Sequence, residues 1–137
     1  MKVLLDTNVL LDYVWARNDN HENARSAIKA CMMEDYDGYV SSHSLCDCFF
    51  ITRHALTRGE RRELLFFFLS IFHVIAESSD DFVATLKQDC FFDLEDGLQI
   101  QCAESNHLDY IVTGNLKHFA ESEIPAISLN DFISLIK

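Results

Sequence analysis

The stretch Val3-Leu4-Leu5-Asp6-Thr7-Asn8 constrains this chain most. Three apolar residues run directly into an acid and two hydrogen-bonding residues, and an apolar helix pattern begins immediately afterwards. A short apolar run bounded by a polar turn reads as a buried strand. Strands buried on both faces belong to parallel sheets covered by helices. In such open sheets, ligands sit just beyond the carboxyl ends of the strands, which puts Asp6 on the rim where chemistry is done. Asp is also a preferred N-cap, so Asp6 serves equally well as the cap of the following helix. The number of other acids able to reach the same rim decides between the two.

The rest of the chain repeats the alternation. Helical patterns are expected over about residues 7–16, 22–33, 45–56, 60–71, 79–87, from Asp93 or a neighbour to about Ser105, and over 131–136 behind an Asn130 cap. Strands are expected at Lys2 to Asp6, Tyr39 to Ser41, Phe72 to Ile75, Tyr110 to Thr113 and Pro125 to Ile127, with a loop over 89–94 and Gly59 separating the third and fourth helices. No repeat or linker interrupts them. The pattern predicts one α/β domain over residues 1–137, a three-layer α/β/α sandwich around a parallel sheet of about five strands.

Charge narrows the function. The chain carries 22 acids against 11 bases, a net charge of -11. A protein this acidic repels phosphate, so handling nucleic acid requires a local basic patch or a bridging cation. The N-terminus has no signal-peptide pattern, and the longest apolar stretch, Leu64 to Phe72 with Ser70 inside it, is too short to span a bilayer. The five cysteines, Cys31, Cys46, Cys48, Cys90 and Cys102, are scattered, without zinc-finger spacing. Reduced, mostly buried thiols in a cytoplasmic protein are expected.

Three further polar groups can reach the rim. Asp47 lies in the first turns of the third helix, with apolar Phe50 and Ile51 on its face, where a carboxylate must be paired, solvated in a cleft or metal-bound. It also suits the dipole at a helix start without any function. Asp93-Leu94-Glu95-Asp96-Gly97 spends three acids in four residues on one helix start. That is good capping practice, with Asp93 as N-cap, but Gly97 directly after Asp96 also lets backbone or ligand come close. Thr113-Gly114-Asn115 ends the fourth strand, either as an ordinary turn or as a polar holder of water, metal or carboxylate. Converging carboxylates repel, and without a cation at least one tends to keep its proton. A hard divalent ion resolves the repulsion, and oxygen ligands select Mg²⁺ or Mn²⁺ over zinc. Such an ion suits phosphodiester hydrolysis.

Val3-Leu4-Leu5-Asp6-Thr7-Asn8-Val9-Leu10-Leu11-Asp12, Leu94-Glu95-Asp96 ahead of Cys102-Ala103, and Tyr110-Ile111-Val112-Thr113-Gly114-Asn115 followed by Phe119 together resemble the PIN-domain nucleases, above all bacterial VapC-type toxin ribonucleases. The resemblance runs through Ile124-Pro125-Ala126-Ile127 to the terminal helix. It implies a metal-dependent endoribonuclease acting on RNA, often neutralised by an antitoxin encoded with it. Asp6 matches the family's first acid and Asp96 its third, and Asn8, Thr113 and Asn115 match its supporting polar positions. Asp47 falls where a second acid or a polar stand-in occurs, within an unusual Cys46-Asp47-Cys48. Two departures stand out. Asn115 replaces the fourth acid that many members carry, and His118 stands where members with Asn at that point often carry an acid.

The expected catalytic set is therefore Asp6, Asp47, Asp96 and Asn115, with Asp6, Asp47 and Asp96 on the metal and Asn8, Thr113 and Asp93 in support. The missing acid supports a different class, a PIN fold that binds or regulates without cutting. A phosphotransfer receiver or phosphatase is disfavoured, because Asp6-Thr7-Asn8 lacks the second phosphatase acid and the third strand ends in Ala76. Arg53, Arg58, Arg61 and Arg62 read as a solvated helix corner paired with Glu60 and Glu63, or as a phosphate contact. Leu64 to Leu69 is apolar around the whole helix, which predicts burial on all sides, part of it in a homodimer or an antitoxin-binding groove. His43 and His54 lack a partner acid in motif spacing and are not expected to act.

Overall fold

A computed structural model describes residues 1–89 and 93–137. Cys90 and the middle of the expected 89–94 loop lie outside the described residues. The elements run β1 (Lys2–Leu5), α1 (Thr7–Val14), α2 (His21–Met32), β2 (Asp37–Ser41), α3 (Ser42–Ile51), a 3₁₀ turn (Thr52–His54), α4 (Arg58–Ile71), β3 (His73–Ile75), α5 (Ser79–Leu86), α6 (Leu94–Ser105), β4 (Tyr110–Val112), a second 3₁₀ turn (Leu116–Phe119), β5 (Ala126–Ile127) and α7 (Leu129–Ile136). The five strands form one parallel sheet in the order β3-β2-β1-β4-β5.

Alternation along the strands creates the layers. Val3 and Leu5 of β1 join a core with Val40 and Val112, covered by Val9 and Leu10 of α1, Ile28 of α2, Phe68 of α4 and Phe132 of α7. Leu4, one residue out of phase, joins Ile75 and Ile111 in a second core under Ile100, Cys102 and Ala103 of α6. Helices thus cover both faces, giving the expected three-layer parallel sandwich. Packing on the first face is tight enough to require glycine at one place. A Cβ at Gly38 of β2 would lie 2.7 Å from both Cys31 Sγ and Phe72 Cδ1, so α2 and the end of α4 press directly on the strand backbone.

Side-chain caps set several helix starts differently from the sequence pattern. Ser41 Oγ accepts the Ser44 N–H, which starts α3 at Ser42 rather than near Leu45, and the helix tightens into the 3₁₀ turn after Ile51. Thr57 and Glu60 form a capping box, so Gly59 falls inside the first turn of α4 instead of separating two helices. Ser128, not Asn130, caps α7. Phe72 ends α4, and β3 begins at His73.

The Leu64 to Leu69 stretch is not buried all round within this chain. Phe68 is in the core, but Phe66 is 67% exposed and Leu69 50%. With Phe49, Arg62 and Leu65 they line an apolar groove of about 200 Å³. Among the described residues, no helix is long and apolar enough to cross a membrane.

Candidate active site

The strand order reverses between β1 and β4. From β1 the chain adds β2 and β3 on one side, then crosses to β4 and β5 on the other. A crevice opens at the carboxyl ends of strands at such a point. Here it is a cleft of about 250 Å³ lined by Asp6, Thr7, Asn8, Asp47, Asp93, Glu95, Asp96, Asn115 and His118, with Leu11 and Ile51 as apolar wall. Six of the seven residues singled out from the sequence are in that lining. The seventh, Thr113, lies fully buried beneath it.

Asp6 forms the floor and is both things the sequence allowed. Its backbone N–H donates to Val112 O across to β4, and its Oδ1 accepts the Thr7 N–H at 2.8 Å as the cap of α1. Thr113 Oγ1 donates to Oδ2 at 2.8 Å, and Gln99 Nε2 donates to Oδ1 at 3.0 Å. Three donors thus satisfy the buried Asp6 carboxyl. Gln99 also donates to Ser44 Oγ, which touches Thr7 Oγ1 and Ser41 Oγ. This buried polar layer ties α1, α3 and α6 to the ends of β1, β2 and β4. On the rim, Asn8 Oδ1 accepts the Gly114 N–H, and Thr113 Oγ1 accepts the Asn115 N–H.

The other acids divide into two groups. Asp93 caps α6 by accepting the Asp96 N–H. Asp93, Asp96 and His118 each bring a ligand atom within 4.8 Å of the others, and His118 Nδ1 is 3.0 Å from Asp96 Oδ2. Burial, then the charges of Asp93 and Asp6, push the Asp96 carboxyl up to about 6 against the opposing pull of His118. Asp96 Oδ2 is buried and faces the His118 ring. On the other wall, His43, Asp47 and Glu95 form a second group within the same 4.8 Å limit. The Glu95 carboxyl is pushed up to about 8 by its hydrogen bond to Asp47, then by burial and the charges of Asp47, Asp93 and Asp6. Asp6, Asp47 and Asp96 therefore share one cleft, but neither close group contains all three.

Sequence reasoning passed over four of these residues. Glu95 looked like capping charge. Gln99 stood unremarked between Leu98 and Ile100, though a polar residue one turn after Asp96 on a buried face was a usable signal. Ser44 carries no signal in the sequence beyond that of a serine near a helix start. His43 was set aside for want of a partner acid, and the fold supplies Glu77, from 34 positions away, on its Nδ1. The arginine reading changes as well. No ion pair joins Arg53, Arg58, Arg61 or Arg62 to Glu60 or Glu63 among the described residues. Arg53 and Arg61 instead stack over Phe50 and Phe49, 3.8 and 4.4 Å from the ring centroids, and donate to backbone carbonyls of the same residues.

The PIN-domain family model matches residues 2–117. The chain belongs to the PIN-domain family. Solved structures show the same fold. A DNA-bound VapBC complex from Salmonella typhimurium contains a chain with TM-score 0.70 and 18% identity, covering 94% of this PIN domain and 98% of that chain. A toxin-antitoxin complex from Klebsiella pneumoniae gives 0.69 and 22%, covering 93% and 97%. The Mycobacterium tuberculosis toxin VapC20, described as cleaving the sarcin-ricin loop, gives 0.64 and 10%, covering 80% and 86%. No curated protein matches this PIN domain.

Proposed function

We propose that this PIN domain is a divalent-metal-dependent endoribonuclease and the toxin of a toxin–antitoxin pair in the cytoplasm. The observation that carries the reading is the cleft itself: five carboxyl side chains line it, two of them with raised pKa values, in a chain already at net charge -11. Acids confined in this way are stabilised as anions by a hard cation. The carboxylate oxygens that line the cleft fit Mg²⁺ or Mn²⁺. Asp6 and Asp96 would hold the ion, with Asp47 on the facing wall and Asp93 in support. When bound, such an ion lowers the pKa of a water and offsets charge on a phosphodiester. It also makes an RNA backbone admissible to a cleft that otherwise repels phosphate.

The chain's own residues prepare that site. Thr113, Gln99 and the Thr7 N–H fix both oxygens of Asp6 before any ligand arrives. Asn8 and Asn115, neutral and on the rim, can orient substrate or water without adding charge. The family match and the toxins among the fold's solved neighbours support the ribonuclease and antitoxin parts of the reading. The exposed apolar face of α4 supports a second copy of the chain as a partner, as surfaces of this kind mark protein interfaces.

The test is cleavage of an RNA panel in Mg²⁺ or Mn²⁺ by the wild-type chain and by Asp6→Asn. Loss of cleavage in a variant that stays folded is expected. Unchanged cleavage by Asp6→Asn across a metal titration rejects the assignment. Asn115, neutral where many members are acidic, favours a second reading, a module that binds metal and does not cut; Mn²⁺ binding with no cleavage of any RNA would establish it.

A further inference from the structure

His43 and Glu77 are distant in sequence, yet α3 and the segment after β3 bring them together. The Glu77 side chain is only 6% exposed. It accepts from His43 Nδ1 and from Ser42 Oγ. With a carboxylate oxygen accepting at Nδ1, the neutral tautomer of the ring has its lone pair on Nε2. Nε2 is buried without a hydrogen-bond partner and points toward Asp47 and Glu95, 3.6 Å from Glu95 Oε1.

We propose that His43 Nε2, Asp47 and Glu95 form a second metal site that takes a zinc-class divalent transition ion in preference to Mg²⁺. Three features point there together. Their ligand atoms already lie within 4.8 Å of one another. The carboxylate on Nδ1 is the outer partner that metal-bound histidines almost always have, fixing the tautomer and raising the basicity of the ligating nitrogen. A mixed nitrogen and oxygen donor set suits Zn²⁺, whereas Mg²⁺ is held by oxygens and water. This inference rests on the metal-dependent reading of the cleft only in placing Asp47, whose two oxygens can serve both ions.

The test uses the full chain labelled with ¹⁵N-histidine in saturating Mg²⁺. One equivalent of Zn²⁺ should move the His43 Nε2 resonance to the range of a metal-bound imidazole and leave His118 unmoved. Glu77→Gln keeps shape but weakens the partner of Nδ1, and should lower Zn²⁺ affinity roughly 10–100-fold. His43→Gln should lower it at least as far, and thermal unfolding checks that both variants fold. An unmoved His43 resonance, a shift on His118 instead, or unchanged affinity in His43→Gln overturns the site. Cleavage of RNA in Mg²⁺ with His43 unmoved removes this site alone. A shifted His43 in a chain that cuts no RNA removes the nuclease reading alone.

Discussion

Replacing Thr113 with valine removes one hydroxyl and almost no volume. Thr113 is fully buried at the end of β4, and its Oγ1 donates to Asp6 Oδ2 at 2.8 Å while accepting the Asn115 N–H at 3.0 Å. A hydrogen bond to a charged partner is worth about 1.5–3 kcal/mol, and a buried acceptor left short of a donor loses that support with no water to replace it. The Asn115 N–H is closer to solvent and regains water, so it adds little. The expected destabilisation is about 2–3 kcal/mol. For a chain of 137 residues the unfolding entropy is roughly 0.3 kcal/mol/K, which makes the shift in Tm about 7–10 °C. Thr113→Ser keeps the hydroxyl and should lose much less, so the pair of variants separates the hydrogen bond from the packing. The assay is thermal unfolding followed by circular dichroism in the presence of a chelator. A Thr113→Val Tm within a degree or two of wild type, or an equal loss in Thr113→Ser, refutes the claim that this hydroxyl stabilises the buried Asp6 charge.

Two further outcomes follow from the cleft and the groove. Glu95 and Asp96 have carboxyls raised from 4.5 and 3.8 to about 8 and about 6; groups raised on folding stabilise the fold below their unfolded values and lose that contribution as pH rises through the folded ones. The metal-free chain should therefore lose stability between about pH 4 and pH 8, and the Tm gain on adding Mg²⁺ should be larger at about pH 9 than at about pH 5; an equal gain at both would show that these acids do not face the ion. Phe66→Glu places a charge on the 67% exposed ring of α4 and should shift the molar mass measured by light scattering from dimer to monomer without lowering Tm; an unchanged mass excludes this face as the interface.

The layers were legible because burial in a parallel sheet leaves a plain mark. Val3-Leu4-Leu5 and Tyr110-Ile111-Val112 are apolar runs too short for helices, and the polar residue ending each marks the edge where the cleft opens. Helix starts were less legible wherever two cap residues competed. Ser128 and Asn130 are both good caps, and only the chain path behind β5 selects the first. The supports of Asp6 were hidden for a similar reason. Gln99 and Ser44 matter through contacts 93 and 55 positions away in the chain, and local spacing carries no trace of them. His43 fails the same test, since its acid partners come from the segment after β3 and from α6. The α4 stretch misled in the opposite direction: an all-round apolar helix reports how much surface needs covering, and in this chain Phe66 and Leu69 remain open.

Asp6 follows β1, the central strand of the five, while β3 and β5 form the margins of the sheet. Opening motions begin where a backbone has fewest partners, at margins, loop tips and chain ends. The innermost carboxylate is therefore anchored at the middle of the sheet, whereas Asn115, Asp93 and Glu95 stand beyond a strand end and at a helix start. A flexible polymer entering this crevice would meet the rim first and be presented at its base to one carboxyl group held by three donors.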